Sequence, residues 1–113
     1  MLVKYKKTCE KIAMGLLGLM PNERNVKELQ KLIRIYEEKP EMQLYFWREG
    51  EDYIGLLGLE MEGDHVVVCH IAVNPSHRGE GLGQVMVEQI EQRVQPRKVK
   101  LTQETEKLCL TVC

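Results

Sequence analysis

The hexapeptide Arg78-Gly79-Glu80-Gly81-Leu82-Gly83 follows the apolar run Val66-Val67-Val68-Cys69-His70-Ile71-Ala72-Val73 and opens an amphipathic segment. A strand, a glycine loop and a helix in that order leave free backbone N–H groups at a helix N-terminus. Such an end carries unpaired donors and the positive pole of the helix macrodipole, and it attracts phosphate. Gly79, Gly81 and Gly83 lack the Cβ atoms that would hold an anion off the main chain, and they accept φ values that other residues resist. Arg78 adds a planar, permanently charged fork that suits phosphate oxygens. The segment from Arg78 through Glu80 and Leu82 to Gln84 therefore predicts a cradle for a diphosphate.

Spacing narrows the kind of cradle. A Walker loop needs G-x-x-x-x-G-K-[ST], and no Lys-Ser or Lys-Thr follows these glycines. A dinucleotide fingerprint needs G-x-G-x-x-G, but from Gly79 the third position falls on Gln84. That fingerprint also belongs in the first βα turn of its fold, whereas this loop lies deep in the chain. The pattern that fits is [QR]-x-x-G-x-[GA], filled by Arg78, Gly81 and Gly83 after Val73-Asn74-Pro75. It resembles motif A of the GNAT acyl-CoA N-acyltransferases, whose loop holds the coenzyme A pyrophosphate. The alternative is a glycine-rich strand-to-helix connection with no ligand.

The resemblance implies acetyl-CoA as co-substrate and no metal. In that fold the strand before the loop leaves its neighbour at a bulge, and pantetheine pairs with the exposed main chain like an added strand. By position that falls on Ile71, Ala72 and Val73, one of whose N–H groups would face the thioester oxygen. The base is less determined. His65 stands near the strand start, where histone-modifying members carry a glutamate, and it is the candidate base or else a solvated turn residue. Simple alternation puts His70 on the opposite strand face as a hydrogen-bonded, half-buried side chain. His77 flanks the loop, while Glu60 and Glu62 could act through water or simply be surface carboxylates. Many members protonate the leaving thiolate with a Tyr after the fifth strand. Here the tyrosines are Tyr5, Tyr36, Tyr45 and Tyr53, with none later.

The elements that must position these groups read as follows. Leu2 to Lys6 alternates as a strand, and Thr8 is placed to cap a helix whose face is Ile12, Ala13, Leu16, Leu17 and Met20. Pro21-Asn22 breaks it. Asn25 with Glu28 starts a second helix carrying Val26, Leu29, Leu32, Ile33 and Tyr36, which ends at Pro40. Leu44–Trp47 and Tyr53–Leu59 form a hairpin around Gly50-Glu51-Asp52, and Gly63-Asp64 turns into a strand from His65 to Val73. Leu82, Val85, Met86, Ile90 and Val94 make the face of a third helix, stopped by Pro96. Lys98–Leu101 is a short strand, and Glu104 onward a terminal helix or tail. The order β-α-α-β-β-β-α-β-α predicts an α/β (α+β) fold. It is the order of the GNAT fold, with a mixed, mostly antiparallel sheet flanked by helices. One domain over 1–113 is expected. The resemblance covers nearly the whole chain, although only motif A is specific.

A narrower resemblance rests on Lys4-Tyr5-Lys6-Lys7, Glu10 to Leu17, Met20-Pro21-Asn22-Glu23 and His70 to Arg78. These look like the small acetyltransferases encoded in riboflavin operons of bacilli, the RibT family. That likeness implies a bacterial cytoplasmic protein and leaves the acceptor open. Family members commonly continue through further strands, so a chain ending at Cys113 implies an acceptor side that is open, completed by a second subunit, or truncated. An exposed sheet edge left there would favour a homodimer.

Bulk properties exclude several classes. Sixteen Lys and Arg against 17 Asp and Glu give a net charge of -1, which provides no general field for nucleic acid or an anionic membrane. No stretch approaches the ~20 apolar residues that cross a bilayer. Cys9, Cys69, Cys109 and Cys113 form no C-x-x-C pair; Cys69 is expected to be a small core residue. Two functions remain: transfer of an acetyl group to a small-molecule or peptide amine, and a catalytically idle coenzyme A-binding module.

Overall fold

The computed structural model describes residues 1–19, 25–77 and 79–102. In chain order these form β1 (Leu2–Lys4), a 3-10 turn (Lys7–Cys9), α1 (Glu10–Leu17), α2 (Val26–Glu38), β2 (Met42–Glu49) and β3 (Asp52–Glu62). They continue with β4 (His65–Val73), a second 3-10 turn (Pro75–His77), α3 (Leu82–Val94) and β5 (Lys98–Leu101). Among the described residues the strands make one sheet of order β1-β2-β3-β4-β5. The first three neighbouring pairs are antiparallel and β4–β5 is parallel. The expected mixed sheet is therefore present; Met20, Pro21-Asn22, Arg78 and the tail from Glu104 lie outside the described residues.

Local chemistry accounts for most boundaries. The Asn25 side chain accepts from the Glu28 N–H at 2.9 Å, so α2 starts where its capping residue stands. Gly50 at φ 60° and Gly63 at φ 56° make the two hairpin turns. The hairpin strands run longer than their apolar stretches, from Met42↔Glu60 to Glu49↔Asp52, because ladder bonds need main chain rather than apolar side chains. Four expectations are corrected. Thr8 does not cap α1: the Cys9 N–H donates to the Lys6 carbonyl at 2.8 Å, drawing Thr8 into a 3-10 turn and leaving Cys9 as the N-cap of α1. β1 likewise stops at Lys4. On α3 it is Val87, not Val85, that is buried beside Leu82, Met86 and Ile90. On α1, Ile12 sits at the rim of its stripe and is exposed.

Helices cover both faces of the sheet, and two glycines of β3 show how closely. A Cβ on Gly55 would meet the Met86 thioether of α3 at 2.9 Å. A Cβ on Gly58 would overlap the Tyr36 hydroxyl of α2. Residues three apart on a strand face opposite sides, so α3 lies on one face and α2 on the other, with α1 packed beside α2. Leu57, Leu59, Val66 and Val68 are fully buried between these layers. Gly58→Ala is expected to destabilise the fold by about 1–3 kcal/mol through overpacking. The loss should shrink in a Tyr36→Leu background. A double-mutant cycle by urea unfolding reads that coupling, and a loss equal in both backgrounds would disprove the contact.

Candidate active site

The site is built from an irregularity in β4. Gly58 pairs with His70 and Leu59 with Val68, so Cys69 is an extra residue on β4, a β-bulge. The bulge resets the alternation of side chains. His65 and Val67 lie opposite Glu62 and Glu60, His70 and Ala72 opposite Gly58 and Leu56, and these four β3 positions share one face. His70 is consequently on the same face as His65, correcting the expectation from plain alternation. Ile71 and Val73 face α3 with Leu57 and Gly55.

Among the described residues, the bulge also marks where β4 parts from its parallel neighbour. β5 pairs with His65–Val68 only, so the Cys69–Val73 edge facing away from β3 has no strand partner among the described residues. The Asn74 N–H donates to the Ile54 carbonyl at 2.8 Å, fixing the phase of the ladder. By the two-residue period, Ala72 turns its peptide groups toward β3, while Ile71 and Val73 turn theirs to the open edge. Of the three predicted residues, two thus offer main-chain groups there.

Beyond β4 the chain is pinned before it reaches the glycines. Asn74 Oδ1 accepts from the Ser76 N–H at 3.0 Å and from Ser76 Oγ at 2.8 Å, and the His77 N–H donates to the Asn74 carbonyl at 2.9 Å. Arg78 lies outside the described residues. Gly79 at φ 84° and Gly81 at φ 74° are in the left-handed region that favours glycine. Gly81 is the N-cap of α3, with no side-chain cap, and its carbonyl accepts from the Val85 N–H at 3.2 Å. None of the N–H groups from Gly79 to Gln84 donates to a partner among the described residues. Leu82 and Gly83 are buried, so they present amides rather than side chains, while Glu80 and Gln84 are exposed. Since Met86 sits over the row where Gly55 pairs with Val73, the α3 N-terminus stands at the end of the open β4 edge.

His65 is elsewhere. It pairs with Lys98 at the start of β4 and lines a cavity of about 790 Å³ with Tyr45, Arg93 and Lys98. The Arg93 guanidinium lies 5.4 Å from the Tyr45 ring centre there. Eight strand steps separate His65 from Val73, roughly 25 Å at strand rise, so the structure does not bring it to the loop. His77 does flank the loop, with Nδ1 2.9 Å from Ser76 Oγ. What sequence reasoning undervalued is the pairing of Tyr36 Oη with His70 Nδ1 at 2.5 Å, made possible by the missing Cβ of Gly58. The Tyr36 and Gly58 positions carry no motif, and only the bulge reveals the face His70 takes.

Two further groups have shifted acidities. Burial pushes the Cys69 thiol up, and the charges of Glu60 and Glu62 push it further, so it stays protonated at neutral pH. It is half-buried at the bulge, with Sγ 3.7 Å from the Val67 carbonyl, rather than sunk in the core. Glu60 is also raised, first by a hydrogen bond to Glu62, then by burial and the charges of Glu62 and Glu41, with Lys39 opposing. Among the described residues no group of three His, Cys, Asp or Glu side chains could hold a metal ion, and no helix is long and apolar enough to cross a membrane.

The likenesses to known proteins agree with this geometry. Residues 11–107 match the acetyltransferase (GNAT) family. An uncharacterized N-acetyltransferase encoded in the lysA 3′ region of Bacillus methanolicus is 51% identical over 88 residues, 77% of this chain and 73% of its own. The structure of AAC(6′)-Iy with the bisubstrate analogue CoA-S-monomethyl-acetylneamine superposes at a TM-score of 0.77 and 12% identity. It covers 97% of this chain and 85% of its own. An aminoglycoside 6′-N-acetyltransferase complexed with coenzyme A gives 0.70 at 17% identity, over 89% of this chain and 60% of its own. The chain belongs to the GNAT acetyltransferase family and is an acyltransferase of that class.

The raised Glu60 acidity carries a stability consequence. A carboxyl whose folded pKa exceeds its unfolded value costs stability above the folded pKa, and the cost disappears as pH falls to the ordinary value of about 4.3. Glu60→Gln is therefore expected to raise the urea midpoint at pH 8 and to leave it unchanged near pH 4. A midpoint that drops at pH 8 would mean the Glu60–Glu62 pair is favourable.

Proposed function

We propose that this protein moves an acetyl group from acetyl-CoA to an amine by direct attack within a ternary complex, as a single domain spanning 1–113. The observation that carries the reading is the junction of two main-chain surfaces that have no partner among the described residues. Six amides from Gly79 to Gln84 lack partners among the described residues at the N-terminus of α3, and the open β4 edge leads up to them. A diphosphate attached to an amide-containing chain matches both at once. In this reading the amides of Gly79 to Gln84, with the Arg78 side chain, hold the diphosphate. Ile71 and Val73 pair with the pantetheine amides, and the Ile71 N–H polarises the thioester carbonyl. Coenzyme A supplies the activated acetyl group. Thiols are acidic enough, ~8.5 for the Cys side chain, that a thiolate can leave without a dedicated acid, which accommodates the lack of any Tyr from 54 to 113.

The acceptor class is a primary amine on a small molecule or a peptide. The two solved neighbours bear on this only by precedent: one holds an acetylneamine analogue and the other acts on an aminoglycoside. The sequence likeness to the riboflavin-operon acetyltransferases supports a cytoplasmic bacterial setting and makes flavin-pathway amines worth testing. The second reading, a coenzyme A-binding module without turnover, is favoured by the missing Tyr.

A matched pair of substitutions tests the cradle. Asn and Asp are nearly isosteric and both tolerate left-handed backbone, so Gly81→Asn and Gly81→Asp differ chiefly in charge. Acetyl-CoA affinity by calorimetry should fall on the order of tenfold or more further in Gly81→Asp. Equal affinities for the two variants would remove the diphosphate from this loop. Free-thiol release with polyamines, amino sugars, flavin-pathway amines and peptide N-termini tests transfer, and binding without turnover across the panel would leave the module. Because the Cys69 thiol is held protonated, Cys69→Ala should keep the transfer rate within about twofold of wild type. A Cys69→Ala variant that binds acetyl-CoA but cannot transfer would replace direct attack by a thioester relay.

A further inference from the structure

We infer that His70, oriented by Tyr36 through the gap left at Gly58, takes the proton from the attacking amine. This inference rests on the acetyl-transfer reading above. A chain added at the open edge of β4 lies in the plane of the sheet, so a thioester carbonyl directed at the Ile71 N–H turns its two sides to the two faces of the sheet. A nucleophile approaches a carbonyl across one of those sides, not within its plane. One face is filled by α3, whose Leu82, Met86, Val87 and Ile90 are buried against the sheet. The amine therefore comes from the face of α1 and α2.

On that face His70 is the titratable side chain next to Ile71, and it is half-buried rather than sealed. Tyr36 Oη meets its Nδ1 at 2.5 Å, and the two rings stand edge to face at 74° with centres 5.7 Å apart. When Nδ1 carries the proton and donates to Tyr36, Nε2 presents the lone pair a base needs. Glu60 stands on the same face beside Val67, and the side chains α1 buries (Ala13, Leu16 and Leu17) are apolar. The Cys69 thiol beside it stays protonated, and His65 lies five residues back along the strand.

The balance is simple. The amine nitrogen forms a C–N bond to the acetyl carbon, the C–S bond breaks, and the electron pair leaves with the sulfur. His70 receives the proton released from nitrogen and returns it to water or to the thiolate. Tyr36 is a positioning residue.

With three histidines in the chain, protein labelled with ¹⁵N and ¹³C in its histidine rings gives a readout that needs no turnover. Saturating acetyl-CoA should shift the His70 ring signals and leave those of His65 in place. With a panel amine that turns over, His70→Gln should lose about a hundredfold or more in kcat at an unchanged KM for acetyl-CoA. His70→Ala should regain rate with added imidazole. Tyr36→Phe should lose kcat, less severely, at unchanged acetyl-CoA affinity. Binding by calorimetry without movement of the His70 signals, or full activity in His70→Gln, would overturn this assignment alone. Absence of acetyl-CoA binding, or of turnover with every amine, would overturn the transfer reading and this one with it.

Discussion

One inserted residue governs the site. An antiparallel ladder without Cys69 would keep strict alternation along β4. The extra residue sends Val66, Val68, Ile71 and Val73 to the α3 face, and His65, Val67, His70 and Ala72 to the α2 face. Among the described residues, the pairing of β4 with β5 reaches as far as Val68, in the same short stretch. A strand that loses a neighbour must satisfy its peptide groups otherwise, since unpaired donors and acceptors away from water are costly. The bulge therefore does two things at one place. It turns main-chain groups of Ile71 and Val73 to an edge that has no strand partner among the described residues, and it decides which side chains stand beside that edge.

Two glycines then set the helices around this edge. At Gly55 the missing Cβ lets Met86 settle on the sheet, which draws the first turns of α3 over the end of β4 and fixes the direction in which its amides point. At Gly58 the missing Cβ lets the Tyr36 ring descend to β4. Packing and chemistry are thus joined in the same contacts. With a net charge of -1 the chain has no general attraction for an anion, so any diphosphate must be held by local groups. A helix N-terminus is such a group, because its field is confined to the first turn.

The residues that were legible are those whose local chemistry decides their conformation. The Asn25 cap, the Gly63-Asp64 turn, the bounds of β4 and the glycine conformations at 79 and 81 all follow from side-chain type within a few positions. At Thr8 a backbone bond from Cys9 to Lys6 competes with side-chain capping, and composition does not reveal which prevails. Val85 and Val87 are chemically alike, and only the contact with the sheet selects between them. The face of His70 depends on a pairing partner 12 residues away on another strand, as Gly58 opposes it across a two-strand register. A period-2 reading cannot see a bulge, so plain alternation puts His70 on the wrong face.

The distribution of acidity gives the reading its direction. Acyl transfer from a thioester poses two proton problems, one at the departing sulfur and one at the entering nitrogen. A thiolate is expelled from a tetrahedral carbon without prior protonation, whereas an alkylamine, near ~10 on the scale of the Lys side chain, is mostly protonated at neutral pH and then has no lone pair to attack with. The demanding problem therefore lies on the nitrogen side of the carbonyl. In this fold α3 closes one side of the β4 edge with apolar residues, and the half-buried His70 with its tyrosine partner stands on the other. The asymmetry of the two faces, generated by the bulge, matches the asymmetry of the chemistry.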